Sequence, residues 1–422
     1  MAVIEVLSQR AMAAISAPRI AQRLEQLSQI GRTETGGITR LALSPEEQAA
    51  QELVSSWLRP LGYSCALDDA ANLVALAEPD SAILVGSHLD TVPEGGAYDG
   101  ALGVVAAVEL AEVLREAGTP RLPRLVAWMG EEGPRFGRTL LGSAAAVGFL
   151  DEADWNRVSE EGTTVRALAD TLRAKWSGER QGSATTGARA YLELHMEQGP
   201  VMEEQGTPIA VVSSIAGATH AQVTVSGEAN HAGTTPMDYR KDALVAAAEM
   251  LLGAERLANE AGNGLVATCG QIAVEPGAQN VIPGTAVFRL DVRAPADEQR
   301  WVYLTEFETS CRQMADHRGV IVRVEVDSEV AAVDLTRDIR ELLAGCVADV
   351  GEAPVELHSG AVHDAQNLAL AGYPTGMIFV RSRGGSHNPY ESVDATDAAL
   401  GVQALVLAHA RIPQSLTLGY WR

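Results

Sequence analysis

Short apolar runs alternate with segments of helical period in the first half of the chain. The stretches 72–77, 82–87 and 124–129 have the apolar character of buried strands, whereas 101–117 repeats its apolar residues at the period of a helix. A strand, helix, strand order needs a crossover connection, which predicts parallel strands covered by helices. Residues 151–188 are polar and helix-prone, and we interpret them as a surface excursion.

The pattern changes beyond residue 217 and changes back near residue 329. The predicted elements in between are strand 221–226, helix 242–261, strand 265–274, strand 286–293, helix 297–317 and strand 320–326. Their βαββαβ order is that of a ferredoxin-like module. We therefore predict an α/β fold in which a first domain, 1–216 and 329–422, is interrupted by a smaller domain at 217–328.

Length and composition agree with two folded domains. The chain has 422 residues, of which 46% are apolar and 21% charged, as in ordinary globular proteins. The formal net charge of −23 argues against a nucleic-acid partner, because phosphate binding depends on clustered Lys and Arg. An acidic surface otherwise indicates only solubility, and no stretch is long and apolar enough to predict a membrane partner.

The four cysteines, at positions 65, 269, 311 and 346, stand singly in apolar stretches without a CxxC spacing. That distribution favours buried, reduced thiols over disulfides or a zinc knuckle. The N-terminus lacks the continuous apolar segment of a secretion signal. We therefore expect a cytoplasmic protein.

Candidate chemistry begins at the end of the strand 82–87. His88 and Asp90 form an HxD pair there, and the period of two points both side chains to the same side. His88 can bind a metal while Asp90 orients its ring from behind. Asp99 follows in PEGGAYDG, where glycines allow a turn that returns a carboxylate to the strand end. Taken alone, these residues could equally be a satisfied histidine and an ordinary Asp-Gly turn.

Glu131 and Glu132 directly follow an apolar strand. Two adjacent carboxylates beside apolar surface repel each other and lose hydration unless a cation or a shared proton intervenes. One of them can therefore bind metal while its neighbour takes a proton from water. The alternative is a solvated, charged loop.

His195 ends the predicted strand 191–195, and His387 lies in the loop after the predicted strand 376–380. Open α/β sheets bind ligands at such ends of strands. Nitrogen and oxygen donors together suit Zn²⁺, Mn²⁺, Co²⁺ or Ni²⁺. The candidate metal ligands are therefore His88, Asp99, one of the pair Glu131 and Glu132, His195 and His387.

Several motifs carry a family resemblance between about residues 80 and 395. They are GSHLDTVPEGGAYDGALGV, MGEEGPRFG, LELHMEQGP, NHAGTTPM, QNVIPG, RLDVRAP, SGAVHDA and GGSHNPYE. Together they resemble the N-carbamoyl-L-amino acid hydrolase and allantoate amidohydrolase branch of the aminoacylase and carboxypeptidase-like metallohydrolases. The resemblance implies a large di-metal catalytic domain, with a mixed central sheet flanked by helices, and a smaller dimerisation or lid domain.

The resemblance also implies roles for the metal ligands and the base. It assigns one divalent ion to His88, Asp99 and His195, and a second to Asp99, Glu132 and His387. Glu131 is implied as the general base.

Further residues are implied around the substrate. Gln198 and His231 lie at the active site, with His231 supplied by the partner subunit of a homodimer formed through the inserted domain. Asn280 and Arg293 bind the carboxylate of the substrate, and His220 is a weaker addition. A guanidinium offers a planar two-point grip on a carboxylate, although a structural salt bridge is the alternative for Arg293.

A few positions depart from the pattern expected of this branch. Val362, Tyr98 and Pro134 stand where glycine, phenylalanine and serine are common. None is a predicted ligand. We expect them to affect the pocket near His363 and Asp364 and the loop bearing Arg381 and Arg383.

The expected activity is hydrolysis of the carbamoyl C–N bond of N-carbamoyl-L-amino acids, with release of ammonia, carbon dioxide and the amino acid. Allantoate or another ureido acid is the alternative substrate. An N-acyl amino acid deacylase or peptidase would share the same metal site. A non-catalytic scaffold is the alternative from another class, and the complete ligand set argues against it.

Overall fold

The computed structural model describes residues 2–176, 179–180 and 182–413. These residues divide into two compact units. The large unit holds the chain up to Ser213, Asp334–Leu357 and the chain from His363 onward. The small unit holds Ser214–Val333 and His358–Val362. The sequence pattern predicts that His358–Val362 belongs to the first domain, whereas the structure groups this segment with the small unit.

The bounds of the elements are as follows. The strands are β1 Ser64–Leu67, β2 Leu73–Leu76, β3 Asp80–His88, β4 Leu122–Trp128, β5 Glu179–Arg180, β6 Ala190–Met196, β7 Ile209–Ile215, β8 Gly217–Ser226, β9 Asn230–His231, β10 Val266–Glu275, β11 Val281–Ile282, β12 Thr285–Ala294, β13 Ile321–Val330, β14 Val333–Asp334, β15 Glu356–Ser359, β16 Thr375–Val380, β17 Ser382–Arg383 and β18 Ser392–Val393. The helices are α1 Ala2–Ala14, α2 Ala17–Ser28, α3 Pro45–Leu58, α4 Ala101–Glu116, α5 Leu141–Val147, α6 Glu152–Trp155, α7 Val165–Lys175, α8 Val201–Gln205, α9 Ala243–Ala261, α10 Asp297–Arg318, α11 Arg337–Asp349, α12 Asp364–Leu370 and α13 Ala395–Arg411, with 3₁₀ turns at Arg59–Leu61 and Met237–Tyr239.

The central sheet is mixed. Its strand order is β14-β7-β16-β6-β3-β4-β2-β1-β5, with β15 paired to β7. The middle of the sheet is parallel, since β3 pairs in parallel with β4 and β6, and β6 pairs in parallel with β16. Strands β2 and β7 join it in the antiparallel sense. The predicted α/β fold with a separate smaller domain is confirmed.

The strand that ends at the site, β6, is buried along its whole length. Its sequence alternates apolar and polar residues, a pattern that strands with one exposed face also have. Helices cover both faces of a parallel sheet, however, so that even Glu193 and His195 lie inside.

The segment interpreted as a surface excursion contains a helix that joins the core. Val165, Ala169 and Leu172 of α7 are buried in the hydrophobic core of the large unit. Their spacing of four and then three residues gives α7 one apolar face. The interpretation was therefore wrong for this helix, because its many polar residues obscured a narrow apolar stripe.

The small unit has a four-stranded antiparallel sheet in the order β10-β12-β8-β13. Helices α9 and α10 pack on one face, where Met250 and Phe307 meet the buried side chains Phe288, Leu290 and Val292 of β12. The residues between them on β12 point to the opposite, more exposed face. That face therefore carries Arg289, Asp291 and Arg293.

The cysteines are free thiols; Cys65, Cys311 and Cys346 are buried and Cys269 is partly exposed. None of the helices in the described residues is long and apolar enough to span a bilayer.

Helix α4 packs directly on the sheet at Gly103, where the backbone of the helix has room for no side chain. A Cβ atom built there would overlap the carbonyl oxygen of Leu194 and lie 2.6 Å from Cβ of Ser87. Both neighbours belong to the strands that end at the candidate site. The close approach of α4 therefore depends on the missing side chain.

Gly103→Ala should lower the free energy of unfolding by about 1–3 kcal/mol, because the added methyl group has no room beside a fixed backbone. Gly345→Ala is the matched control, since Gly345 lies within α11 and a methyl group added there would meet no other atom. The control should be stabilising by about 0.5–1 kcal/mol. Urea unfolding of both variants measures the difference, and equal stabilities would contradict the packing argument.

Candidate functional site

The site is built at the carboxyl ends of neighbouring parallel strands. His88 is the last residue of β3, and His195 lies next to the end of β6. Their imidazole rings stack with centroids 5.7 Å apart, and both are buried. The ring nitrogens Nδ1 of His88 and of His195 lie 3.1 Å and 2.9 Å from the backbone oxygens of Asp90 and Met196. A neutral ring that donates there has Nε2 free to bind a metal.

Asp99 stands between these rings and a third histidine. Its Oδ1 lies 3.2 Å from Nε2 of His195 and 3.7 Å from Nε2 of His88. Its Oδ2 lies 3.6 Å from Nε2 of His387. One carboxylate therefore faces donors on both of its sides, as a bridging ligand must.

Glu132 completes the second set of donors. Its Oε2 lies 3.1 Å from Nε2 of His387. His387 comes from a loop, has positive φ (58°) and keeps about half of its side chain exposed. It is thus the least enclosed of the predicted ligands, whereas the other two histidines are anchored at strand ends.

Glu131 lies beside the first set, with Oε2 3.9 Å from Nε2 of His88. The carboxylate of Asp90 accepts hydrogen bonds from the backbone N–H groups of Glu131 (3.0 Å) and Glu132 (3.1 Å). Asp90 also lies 3.5 Å from Nδ1 of His88. The HxD spacing predicted that Asp90 orients His88, and the structure adds that Asp90 fixes the turn carrying both glutamates.

The charges of these groups are strongly coupled. Burial raises the pKa of the Glu131 carboxyl well above its usual range, and burial likewise raises the pKa of Glu132. Burial opposes ionisation of Asp99 too, but the nearby rings of His195 and His88, in their protonated form, hold its pKa well below the usual value. Three carboxyl groups in one buried place leave an excess of negative charge that a cation would neutralise.

The donors fit a divalent metal. The ligand atoms of His88, Asp99 and His195 all lie within 4.8 Å of one another, and so do those of Asp99, Glu132 and His387. Oδ1 of Asp99 and Nε2 of His195 are buried without a hydrogen-bond partner among the described residues. Buried polar atoms usually have a partner, so these two atoms are those expected to face an ion. Imidazole and carboxylate donors suit zinc, manganese, cobalt or nickel.

A third group of possible donors, Glu193, His195 and His363, has a different character. The rings of His195 and His363 lie 4.5 Å apart. Glu193 already accepts hydrogen bonds from Ser87 (2.8 Å), from the Tyr191 hydroxyl (3.1 Å) and from the Ala365 backbone. Its oxygens are engaged, so we assign this group to the support of His195. Glu193 was not among the residues predicted from the sequence, although its place two residues before His195 was a usable signal.

Gln198 contacts a predicted ligand directly. Its amide nitrogen donates to Oδ2 of Asp99 at 2.8 Å, from a backbone with positive φ (65°). Gln198 therefore lies beside the candidate metal ligands.

The remaining predicted residues belong to the small unit, where two groups form. In the first, Arg293 donates through Nε (3.1 Å) and Nη2 (3.0 Å) to the carboxylate of Asp291, and through Nη1 to the backbone of Gly360 (3.3 Å). Nε2 of His220 lies 3.5 Å from the same carboxylate. Burial disfavours the charged form of Asp291. Hydrogen bonds from His220 and Arg293 outweigh this effect and lower the pKa of Asp291 to about 2.

The side chains of this first group line a cavity of about 540 Å³ in the small unit. A guanidinium has five N–H donors, and the three contacts of Arg293 leave two of them. Asp291 was not predicted from the sequence. Its position two residues before Arg293 on one strand places both on the same face, which was the available signal.

The second group consists of His231 and Asn280. His231 lies on β9, which pairs with β11, and the backbone N–H of Ala232 donates to the backbone oxygen of Asn280 (3.0 Å). Nδ1 of His231 accepts hydrogen bonds from the backbone N–H groups of Gly233 (2.9 Å) and Thr234 (3.2 Å). A neutral His231 ring therefore carries its proton on Nε2, and the ring is exposed.

The two arginines near the expected pocket make ordinary ion pairs. Arg381 lies 2.8 Å from Asp397, and Arg383 lies 3.7 Å from Glu203. The pair of Arg381 is largely buried, whereas that of Arg383 is exposed.

Fold and donor set together define a class: a two-unit α/β protein with a buried cluster of histidine and carboxylate groups placed to hold metal. Residues 84–411 match peptidase family M20/M25/M40, and the chain belongs to that family.

Two named relatives and one solved structure are also similar to this chain over most of its length. The chain is 38% identical over 403 residues to the N-carbamoyl-L-amino acid amidohydrolase of Geobacillus stearothermophilus, covering 93% of this chain and 97% of that one. It is 35% identical to the allantoate amidohydrolase of Bacillus subtilis, with coverages of 92% and 95%. A hydantoinase/carbamoylase family amidase from Burkholderia ambifaria superposes with a TM-score of 0.85 at 35% identity, covering 94% and 97%. The resemblance that the motifs indicated is confirmed.

Proposed function

We propose that this chain is a two-metal amidohydrolase that cleaves the carbamoyl C–N bond of N-carbamoyl-L-amino acids and releases ammonia, carbon dioxide and the amino acid. One observation carries the proposal. The carboxylate of Asp99 faces two separate ligand groups, with the buried carboxyl of Glu131 beside them. The relatives named N-carbamoyl-L-amino acid amidohydrolase supply the choice of substrate.

Two divalent ions would supply Lewis acidity, both to the attacking water and to the carbamoyl oxygen. His88, Asp99 and His195 would hold one, and Asp99, Glu132 and His387 the other. The donor types leave zinc, manganese, cobalt and nickel as candidates.

Glu131 is the proposed general base. It takes a proton from the attacking water and returns it to the leaving nitrogen, so that nitrogen departs as ammonia rather than as a poor anionic leaving group. Asp90 holds the backbone of Glu131 and so fixes where its carboxylate points. A carboxyl in this buried position favours proton uptake, because burial disfavours its charged form.

Arg293 is the proposed contact for the carboxylate of the substrate. Asp291 holds the Nε side of its guanidinium and leaves two N–H donors for a ligand. His220, Asn280 and Gln198 are proposed as further substrate contacts.

His231 is proposed to donate from Nε2 to the oxygen that gains charge in the transition state. In this proposal the ring comes from the partner subunit of a homodimer. The small unit offers a route to such a dimer, because β10 is an edge strand with exposed Val266 and Ile272. We place the enzyme in the cytoplasm, in keeping with its four free cysteines.

Allantoate is the second candidate substrate. It has a ureido group next to a carboxylate, and relatives named for allantoate match this chain at similar identity. An N-acyl amino acid deacylase or peptidase is a third alternative, since it needs the same metal ligands and differs only in the pocket. It is less supported, because the relatives described above are named for N-carbamoyl amino acids and allantoate.

Glu131→Gln should retain bound metal but lower kcat by about 10²- to 10⁴-fold, because the amide cannot take a proton. Glu116→Gln, an exposed carboxylate at the end of α4, is the control and should behave as wild type. Metal content and ammonia release are measured on the same samples. A Glu131→Gln enzyme with near-normal kcat would remove this residue from the role of base.

Arg293→Ala should raise KM roughly 10- to 100-fold for N-carbamoyl amino acids, the loss expected for charge-assisted hydrogen bonds. The effect should shrink for the corresponding N-carbamoyl amino acid amide, which has no carboxylate to bind. Arg323→Ala changes an exposed arginine of the same unit and serves as control. An unchanged KM for the carboxylate substrate would place substrate recognition elsewhere.

A further inference from the structure

The loop that carries Asp99 and the loop that carries His387 are tied together by one buried side chain. Oε1 of Glu391 accepts hydrogen bonds from the backbone N–H groups of Tyr98 (2.8 Å) and Asp99 (3.0 Å). Glu391 is only 4% exposed, although it lies in a loop. A carboxylate four residues after His387 thus fixes the backbone of Asp99 itself.

Ser386 makes the second half of the connection. Its Oγ lies 2.5 Å from Oδ2 of Asp99 and 2.9 Å from Oε2 of Glu391. The residue next to His387 is therefore bound to the side chain of the shared ligand as well. Together, Glu391 and Ser386 connect both the backbone and the carboxylate of Asp99 to the loop of His387.

The turn before Asp99 is shaped to receive Glu391. A Cβ atom built at Gly96 would overlap the carboxyl group of Glu391. The glycine therefore leaves the space in which the carboxyl group sits. This is a close fit between segments almost three hundred residues apart in the chain.

The two metal-ligand groups differ in how much they need this connection. His88 and His195 are held by strands β3 and β6, which hydrogen-bond to each other. His387 lies in the loop between the short paired strands β17 and β18, and this loop contains three positive-φ positions, namely Gly384, Gly385 and His387. The contacts that Ser386 and Glu391 make with Asp99 therefore join this loop to the turn that carries Asp99.

We propose that Glu391, acting with Ser386, is a positioning residue that holds His387 in register with Asp99 and so sets the affinity of the ion bound by Asp99, Glu132 and His387. The inference rests on the two-metal site of the proposed function. It assigns to Glu391 a larger effect on this ion than on the ion of His88, Asp99 and His195, because strands β3 and β6 hold the two histidines of that group. Residues that orient metal ligands typically change metal affinity by about 10- to 100-fold when removed.

The test is a Co²⁺ titration of the metal-free full-length chain, followed by visible absorption and by equilibrium dialysis. In wild type, two ions should bind. Glu391→Ala should weaken one of them by about 10- to 100-fold and leave the other within a few-fold of wild type. Ser386→Ala should weaken the same ion to a smaller degree, and it serves as a second variant because it removes a single hydroxyl.

Glu391→Gln is the matched conservative variant. Its amide oxygen can still accept from Tyr98 and Asp99, and its NH₂ group can donate to Oγ of Ser386. Both ions should therefore bind nearly as in wild type. Circular dichroism of each variant checks that the chain is folded.

The outcomes separate this inference from the proposed function. Equal Co²⁺ affinities in wild type and in folded Glu391→Ala would overturn the role of Glu391 while leaving the two-metal proposal intact. Equal weakening of both ions, or a Glu391→Gln variant as impaired as Glu391→Ala, would also overturn it. A wild-type chain that binds a single ion would overturn both proposals.

Discussion

The candidate site depends on Asp99, whose carboxylate faces both groups of possible metal ligands. One oxygen faces the strand-held rings of His88 and His195, and the other faces His387 on its loop. Glu131 and Glu132 stand on a turn fixed by Asp90. Burying this many carboxyl groups is unfavourable unless a cation neutralises their charge. The fold nevertheless holds them close together in a buried position.

The large unit supplies this position by ordinary means. Parallel strands bring their carboxyl ends to one edge of the sheet, so His88 and His195 meet although they are far apart in sequence. Gly103 lets α4 lie close behind these strands, and the glycine turn before Asp99 brings the carboxylate back to them. Packing and backbone geometry therefore determine where the donors lie.

Much of the fold followed from the sequence, and the candidate ligands predicted from it are residues that the structure brings close together. The strand ends carried His88, Glu131, Glu132 and His195, and the βαββαβ pattern predicted the order of elements in the small unit. The contacts that sequence reasoning missed are of two kinds. Glu391 acts on Asp99 across 292 positions, a distance that no local pattern reveals. Asp291 and Glu193 lie two residues from a predicted functional residue, so the period of a strand could have indicated them.

The burial of α7 was missed for another reason. Three apolar residues on one face of an otherwise polar helix do not by themselves predict burial, because the core that they pack against is not visible in the sequence. The extra segment of the small unit, His358–Val362, depends on tertiary contacts in the same way. Boundaries and supporting contacts are thus the parts that the sequence leaves open. Strand ends and the candidate donor residues beside them are the parts that it predicts.

Ammonia release from N-carbamoyl-L-amino acids by the metal-free chain, measured as Mn²⁺, Co²⁺, Ni²⁺ or Zn²⁺ is added, tests the central claim most directly. We expect no release without metal and a rate that reaches its maximum at two ions per chain. Full activity in the metal-free chain, or no ureido hydrolysis with any of these ions, would contradict the proposed two-metal hydrolysis.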